Sequence, residues 1–209
     1  MTEDEGSGRL SSTTRVEAFS DGVMAIAITL LILEVKVPHQ GPLLEALLRL
    51  WPSYLAYLAS FLTIGVIWLN HHTFFTRVRQ IDHALVWCNT ALLLGVSFLP
   101  FPTAVLAEHV VHGGSNARVA AAFYGLVGVL MTIPWVLMWR RLARRPALME
   151  PGHDAAFAAA EGRRAWVGIV VYAACIGLGL AAPIVALVIY AAVAVFYGVT
   201  SQGGTPETA

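Results

Sequence analysis

Charged residues are scarce in this sequence of 209 residues. Asp, Glu, Lys and Arg make up 12% of the chain, whereas apolar residues make up 57%, and the mean hydropathy is +0.69. Ordinary soluble domains carry about 25% charged residues, so this composition excludes that class and indicates an integral membrane protein. The net charge is zero, which argues against a nucleic-acid partner because such proteins carry basic patches.

Cysteine and catalytic motifs are equally sparse. Cys88 and Cys175 lie in apolar runs with no ligand at metal-binding spacing, and we expect both to be small buried core residues. No dinucleotide-binding, phosphate-loop or zinc-finger pattern occurs, and the spans contain no Gly-x-Ser-x-Gly motif or pair of catalytic carboxylates. We therefore predict no enzyme activity, no cofactor and no metal site.

Six apolar stretches are long enough to cross, or nearly cross, a bilayer as helices. They cover about residues 16–36, 53–75, 84–107, 118–140, 164–182 and 184–200. The last two run almost together, so the segment Ala181-Ala-Pro183 is predicted to be a tight reversal. Pro100 and Pro102 are predicted to break or kink the third helix, and Pro134 to bend the fourth.

These stretches predict an all-α fold with six transmembrane helices per chain, which fill a domain at residues 15–200. Residues 1–14 are polar and are predicted to form a disordered cytoplasmic tail, with a second cytoplasmic tail at 201–209. The positive-inside rule sets the orientation. With the amino terminus inside, ten arginines lie on the cytoplasmic side, and only Lys36, Arg49 and Arg118 lie outside. We expect both termini to be cytoplasmic.

An acid lies near the start of the first apolar stretch. Ionisable groups inside a membrane helix are costly, so Asp21 is a candidate functional residue. On a wheel of 100° per residue, an apolar stripe lies on one side and Asp21 about 140° from its centre. In a symmetric oligomer the stripe would form a hydrophobic constriction that gates by dewetting. The alternative interpretation is that the stripe is an ordinary helix-packing face. The stripe consists of Phe19, Gly22, Ile26, Leu30 and Leu33, with Thr29 about 60° away.

The second helix returns to the membrane side on which the first one begins, so it can supply partners for Asp21. We predict a buried polar network that holds the first helix in register. A proton relay between Asp21 and His71 is the alternative. The predicted network comprises Arg15, Ser20, Asp21, Trp68, Asn70 and His71.

Two histidine clusters could suggest metal sites. His71 and His72 are adjacent and therefore point about 100° apart on a helix. His109 and His112 lie beside Glu108, just before the loop Gly113-Gly114-Ser115. We interpret the second cluster as a solvated loop, and neither cluster as a metal site.

Several of these residues also form a family signature. Arg15, Phe19-Ser20-Asp21-Gly22, the apolar run ending at Glu34, and Trp68-Leu-Asn70-His71-His72 resemble the transmembrane protein 175 family. Its members are potassium channels of bacterial plasma membranes and animal endolysosomes. Animal members carry two six-helix units, whereas this chain has one copy of the motif and resembles the bacterial kind.

The resemblance implies a homotetramer around a central pore lined by the first helix. It places Ile26 at the narrow point and Thr29 close by, while the helical wheel adds Leu30 and Leu33 as further rings along the same stripe. Phe19 joins the motif residues that support this helix.

The expected function is that of a potassium-permeable cation channel in the plasma membrane, with potassium ions and the lipid bilayer as partners. The Thr-Val-Gly-Tyr-Gly filter of other potassium channels is absent, so selectivity would arise from side-chain hydroxyls and tight packing at the constriction. A small proton-coupled secondary transporter and a structural membrane protein are the alternatives. Transporters usually show internal repeats and midplane charges, neither of which this sequence contains.

Overall fold

The computed structural model describes residues 12–200, with side chains up to residue 196. This part of the chain is built from helices, and its one β-type interaction is an isolated bridge between Val78 and Met149. The prediction of an all-α fold is confirmed. The helices are α1 (Thr14–Leu30), α2 (Leu43–Arg49), α3 (Trp51–Phe75), α4 (His83–Phe98), α5 (Pro100–Val110), α6 (Gly114–Arg144), α7 (Ala155–Ala181) and α8 (Pro183–Thr200).

Five helical segments are long and apolar enough to cross a membrane: 14–34, 51–75, 83–110, 114–144 and 155–181. They coincide with the first five predicted stretches. The sixth stretch forms α8, which is shorter, and its assignment as a sixth span stays a prediction. The sequence analysis missed α2, a short helix between the first two spans. Both predicted tails lie largely outside the described residues.

The third span is broken where proline predicts a break. Because Pro100 has no N–H, it cannot donate to the carbonyl of Val96, and the N–H of Leu99 occupies that carbonyl instead at 3.2 Å. Helix α4 therefore ends at Phe98 and α5 begins at Pro100. Pro134, by contrast, lies inside the continuous helix α6.

Small residues allow α6 and α7 to pack closely. A Cβ added at Gly179 would lie 3.0–3.1 Å from Ala121 and from the backbone nitrogen of Ala122, and one added at Gly128 would lie 2.4 Å from the ring of Tyr172. After α7 the chain reverses through Ala182, and α8 starts at Pro183, which confirms the predicted reversal. Cys175 is buried as expected, whereas Cys88 is partly exposed.

A buried hydroxyl cluster connects three spans. The hydroxyl of Ser60 in α3 lies 2.7 Å from that of Thr103 in α5 and 2.9 Å from that of Tyr124 in α6. Tyr190 of α8 donates to the carbonyl of Ala121 at 2.9 Å. Buried polar groups need such partners, so these contacts fix how the helices are rotated against one another.

The α3–α4 and α6–α7 connectors are joined at the arginine-rich end of the bundle. The N–H of Arg79 donates to the carbonyl of Leu148 at 2.9 Å, and the N–H of Glu150 donates to the carbonyl of Arg77 at 3.0 Å. We call this pair of connectors the clasp. The α6–α7 connector comprises residues 145–154, because α6 extends to Arg144 and α7 begins at Ala155.

An ion pair closes the clasp. Asp82 caps α4 by accepting from the N–H of Leu85 at 3.0 Å, and Arg141 of α6 donates to its other oxygen at 2.7 and 2.9 Å. Burial alone would raise the pKa of Asp82, but the hydrogen bonds from Arg141 and Leu85 outweigh it and lower that pKa below its usual value. The carboxylate is thus held in its charged form.

Candidate functional site

One face of α1 packs against α3 and α4, and the other face lies open. Met24, Ala27 and Leu31 are at most 2% exposed. Ile26 is 61% exposed and Leu33 63% exposed, although both are large apolar residues. The predicted stripe is therefore the side of α1 that the single chain leaves uncovered.

We define the open face by five side chains that the sequence wheel placed on or beside the stripe. All are exposed in the described structure: Phe19, Ile26, Thr29, Leu30 and Leu33. Gly22 lies on the same side and has no atom within 4 Å of the position that a Cβ would take. The final turn of this segment is a 3₁₀ helix, Leu31–Glu34, which still leaves Leu33 open.

Thr29 is the hydroxyl on this face. Its oxygen lies 2.9 Å from the carbonyl oxygens of both Ala25 and Ile26 and donates to them. Since the proton is engaged with the backbone, the lone pairs of the oxygen remain the accessible part of the group. A ring of such oxygens would present acceptors to a cation.

Asp21 is tied to α3 and does not belong to the open face. Trp68 donates its indole Nε1–H to the Asp21 carboxylate at 3.0 Å, and the indole stacks on His72 at a ring distance of 6.2 Å. Asp21 itself is exposed in the single chain. The predicted pairing of Asp21 with Trp68 is present, but the expected burial of Asp21 is not.

A second set of contacts anchors α1 to α4. Ser20 is fully buried, donates to the carbonyl of Val16 at 2.7 Å and accepts from the side-chain amide of Asn89 at 2.9 Å. His71 Nε2 in turn donates to the amide oxygen of Asn89 at 2.9 Å. These three buried groups satisfy one another and connect α1, α3 and α4.

Asn89 was missed by the sequence analysis, which assigned the amide role to Asn70. Asn70 faces a different part of the bundle, in a cleft beside α6 and α7. A carboxamide within the third apolar stretch was the available signal for Asn89. Arg15 is exposed and forms no ion pair with any described residue, so the structure does not bring it to Asp21.

The two histidines of the second candidate cluster are hydrogen-bonded to the backbone. His109 and His112 each bond through Nδ1 to a backbone carbonyl one turn back, at 2.9 and 3.0 Å. Among residues 12–196, no group of three His, Cys, Asp or Glu side chains is placed to hold a metal ion.

This chain is similar in sequence and in fold to known proteins. A family model described as the endosomal/lysosomal potassium channel TMEM175 matches residues 15–100. The chain is 43% identical over 192 residues to a potassium channel of Streptomyces collinus, across 90% of this chain and 93% of that protein. The chain belongs to the TMEM175 family. This confirms the resemblance seen in the sequence motifs.

Other TMEM175 proteins support the same conclusion. The crystal structure of a lysosomal potassium-selective channel TMEM175 homologue from Chamaesiphon minutus superimposes with a TM-score of 0.81 at 38% identity, covering 91% of this chain and 98% of that one. The human endosomal/lysosomal proton channel TMEM175 is 36% identical over 138 residues, which cover 59% of this chain and 27% of the human protein.

Proposed function

We propose that this chain is one subunit of a potassium-permeable cation channel in the plasma membrane. Four copies surround an axial pore, and each contributes the open face of α1. The observation that carries the proposal is the exposure of Ile26, Leu30 and Leu33 on a helix whose opposite face is buried. The potassium-channel names of similar bacterial proteins support the choice of ion.

The constriction in this proposal is a ring of Ile26 side chains, with Thr29 oxygens close by and Leu30 and Leu33 further along. An apolar ring narrow enough to lose its water blocks ions until it is widened or hydrated. Asp21, Trp68, Ser20, Asn89 and His71 hold α1 against α3 and α4, so they set where each Ile26 lies. Phe19 and Arg15 flank this support at the arginine-rich end.

The proposed topology places both termini in the cytoplasm. Arginines cluster at the end formed by the start of α1, the clasp and the start of α7. Lys36 lies before α2, Arg49 is the last residue of α2, and Arg118 lies at the start of α6. The positive-inside rule assigns the arginine-rich end to the cytoplasm.

The purified protein tests the proposal in liposomes. We expect a potassium gradient alone to drive potassium flux, and chemical cross-linking of the same sample to yield species up to four chains. Absence of flux in a sample that cross-links to tetramers would contradict the channel assignment. A largest species of two chains would contradict the tetrameric pore.

A proton-linked activity is the second candidate, because the animal relatives are named proton channels. Its coupled form is the proton-coupled transporter that the sequence leaves as the alternative. The same liposomes distinguish the two functions. A channel passes potassium without a pH gradient, whereas a coupled transporter moves potassium only when protons flow in exchange. We expect potassium flux in both conditions.

A further inference from the structure

A cleft of about 500 Å³ runs between α3, α6, α7 and α8. Its volume lies within the range of about 300–1,000 Å³ that is typical of small-ligand pockets. No residue of α1 lines it, so the cleft is separate from the open face that forms the proposed pore. Apolar and aromatic side chains line most of its length, including Ile67, Met131, Trp135 and Trp139.

The cleft is long in the direction of α3, one of the helices long and apolar enough to cross a membrane. Its α3 side extends from Arg77, just past the end of that helix, to Thr63. The 14 residue-to-residue steps between them span about 20 Å at the helical rise of about 1.5 Å per residue. One leaflet of a hydrocarbon core about 30 Å thick measures about 15 Å. The cleft is therefore long enough to hold an acyl chain from the headgroup level to the bilayer midplane.

The mouth of the cleft carries net positive charge. Arg77 lies over the ring of Phe157 at 5.1 Å and forms no ion pair with any described residue. Arg164 also lines the mouth, where it bonds to Glu161 at 3.1 Å. Two arginines against one carboxylate leave one positive charge without a partner. A guanidinium matches the geometry of a phosphate group, which it can bind through two parallel hydrogen bonds.

A neutral hydrogen-bond donor, the amide of Asn70, lies about two helical turns deeper in the cleft than Arg77. Asn70 lines the cleft, and its carboxamide makes no hydrogen bond to another described side chain or carbonyl. Beyond it the wall is mainly apolar, at Trp135 and Met131. Thr63 and Thr132 also line this part, but their hydroxyls donate to carbonyls of their own helices. The cleft thus changes from cationic at the mouth, through an amide, to mainly apolar further in. An anionic phospholipid has the matching order, from a charged headgroup to an apolar acyl chain.

We propose that this cleft binds one anionic phospholipid from the leaflet at the arginine-rich end, which is the cytoplasmic leaflet in the proposed topology. The phosphate contacts Arg77 and Arg164, and one acyl chain lies along Trp135 and Trp139. Basic pockets between membrane helices on the cytoplasmic side are suited to such headgroups. The lipid would hold α3 and α8 against α6 and α7.

Tryptophan quenching tests the proposal without any measurement of ion flux. The full-length protein is reconstituted in phosphatidylcholine vesicles that contain a small fraction of either dibrominated phosphatidylglycerol or dibrominated phosphatidylcholine. Bromine quenches only those tryptophans that its acyl chain touches. We expect stronger quenching by the anionic lipid, and we expect this excess to disappear in the double variant Trp135→Phe, Trp139→Phe.

Charge variants test the headgroup. Arg77→Gln is expected to weaken the preference for phosphatidylglycerol roughly fivefold, the effect of one arginine near an anionic membrane surface. Arg79→Gln is the matched control, because Arg79 is exposed, lies two residues away and does not line the cleft. If Arg77→Gln lowers the melting temperature in pure phosphatidylcholine, Arg164→Gln takes its place.

Several results would overturn the proposal. Equal quenching by the two lipids would show that the cleft has no headgroup preference. Equal losses in the Arg77→Gln and Arg79→Gln variants would assign the preference to general surface charge. Removal of the excess quenching by inorganic phosphate would identify a simple anion site in place of a lipid site.

Discussion

The indole of Trp68 in α3 donates to the carboxylate of Asp21 in α1 at 3.0 Å. This contact joins the helix that carries the open face to its neighbour. It does so from a position about 140° around α1 from Ile26. Asp21 is thus placed to orient α1 without facing the proposed pore. We expect a substitution of Asp21 or Trp68 to reduce assembly more than it changes ion preference.

Trp68→Phe should lower the stability of the assembled protein more than Asp21→Asn does. The first change removes the donor, and because the carboxylate is exposed in the single chain and can bond to water instead, the cost is about 0.5–1.5 kcal/mol. The second keeps an acceptor oxygen for the indole. Melting temperatures from fluorescence-detected gel filtration compare the two variants. A larger loss for Asp21→Asn would show that charge matters more than the hydrogen bond.

Asp21→Ala extends this test to selectivity. We expect it to reduce the yield of folded oligomer while the protein that remains keeps the ion preference of the wild type. Potassium and sodium flux, normalised to the amount of oligomer, measures that preference. Normal assembly together with altered selectivity would contradict a supporting role for Asp21.

Ile26→Asn should raise potassium flux and reduce discrimination among alkali cations. A polar ring holds water at the constriction and removes the dewetting barrier. Ile28→Asn is the matched control, because Ile28 is partly buried and packs against the core of the same helix bundle. That variant should lose stability and gain no flux. Equal effects at the two positions would contradict the assignment of α1 as the pore lining.

Asn89→Leu should destabilise the protein by about 1–3 kcal/mol for each buried partner that it leaves unsatisfied. The partners are Ser20 and His71. Ser20→Ala in the same background should then cost less than it does in the wild type, because the hydrogen bond to Asn89 is already lost. Thermal unfolding of the two single variants and the double variant measures this coupling. Additive losses would show that Ser20 and Asn89 act independently.

The Asp82–Arg141 pair should make stability depend on pH under acidic conditions. The pKa of Asp82 is lower in the folded protein than its usual value of 3.8, so its contribution is fully present above that value and is lost as pH falls through the folded pKa. Asp82→Asn should remove this part of the acid sensitivity. Melting temperatures between neutral and strongly acidic pH check the prediction. Asp154→Asn is the control, because Asp154 caps α7 and forms no ion pair with an arginine in the described part of the chain.

Two glycines of α7 should respond oppositely to alanine. Gly177 has no atom within 4 Å of the position that a Cβ would take, whereas at Gly179 a Cβ would approach the backbone of α6 to 3.1 Å. Gly177→Ala should therefore stabilise the helix by up to about 1 kcal/mol, and Gly179→Ala should separate α6 from α7 and lower the melting temperature. Equal shifts would show that the close approach of these helices is not needed.

The sequence predicted the helices well because the length of an apolar stretch is set by the thickness of the bilayer. It also predicted the open face of α1, since the rotation of one helix fixes which residues share a face. It could not decide between Asn70 and Asn89. Adjacent residues point about 100° apart, so Asn70 cannot share the direction of His71. Choosing Asn89 requires the rotation of α4 against α1, which only tertiary packing supplies.

The clasp limits how such a protein can move. Backbone hydrogen bonds between the α3–α4 and α6–α7 connectors, together with the Asp82–Arg141 pair, tie the ends of four helices into one block. Helix α1 enters this block from the amino terminus and has no connector in the clasp. We therefore expect a rearrangement that widens a passage at the arginine-rich end to move α1 relative to this block, close to the Trp68–Asp21 contact.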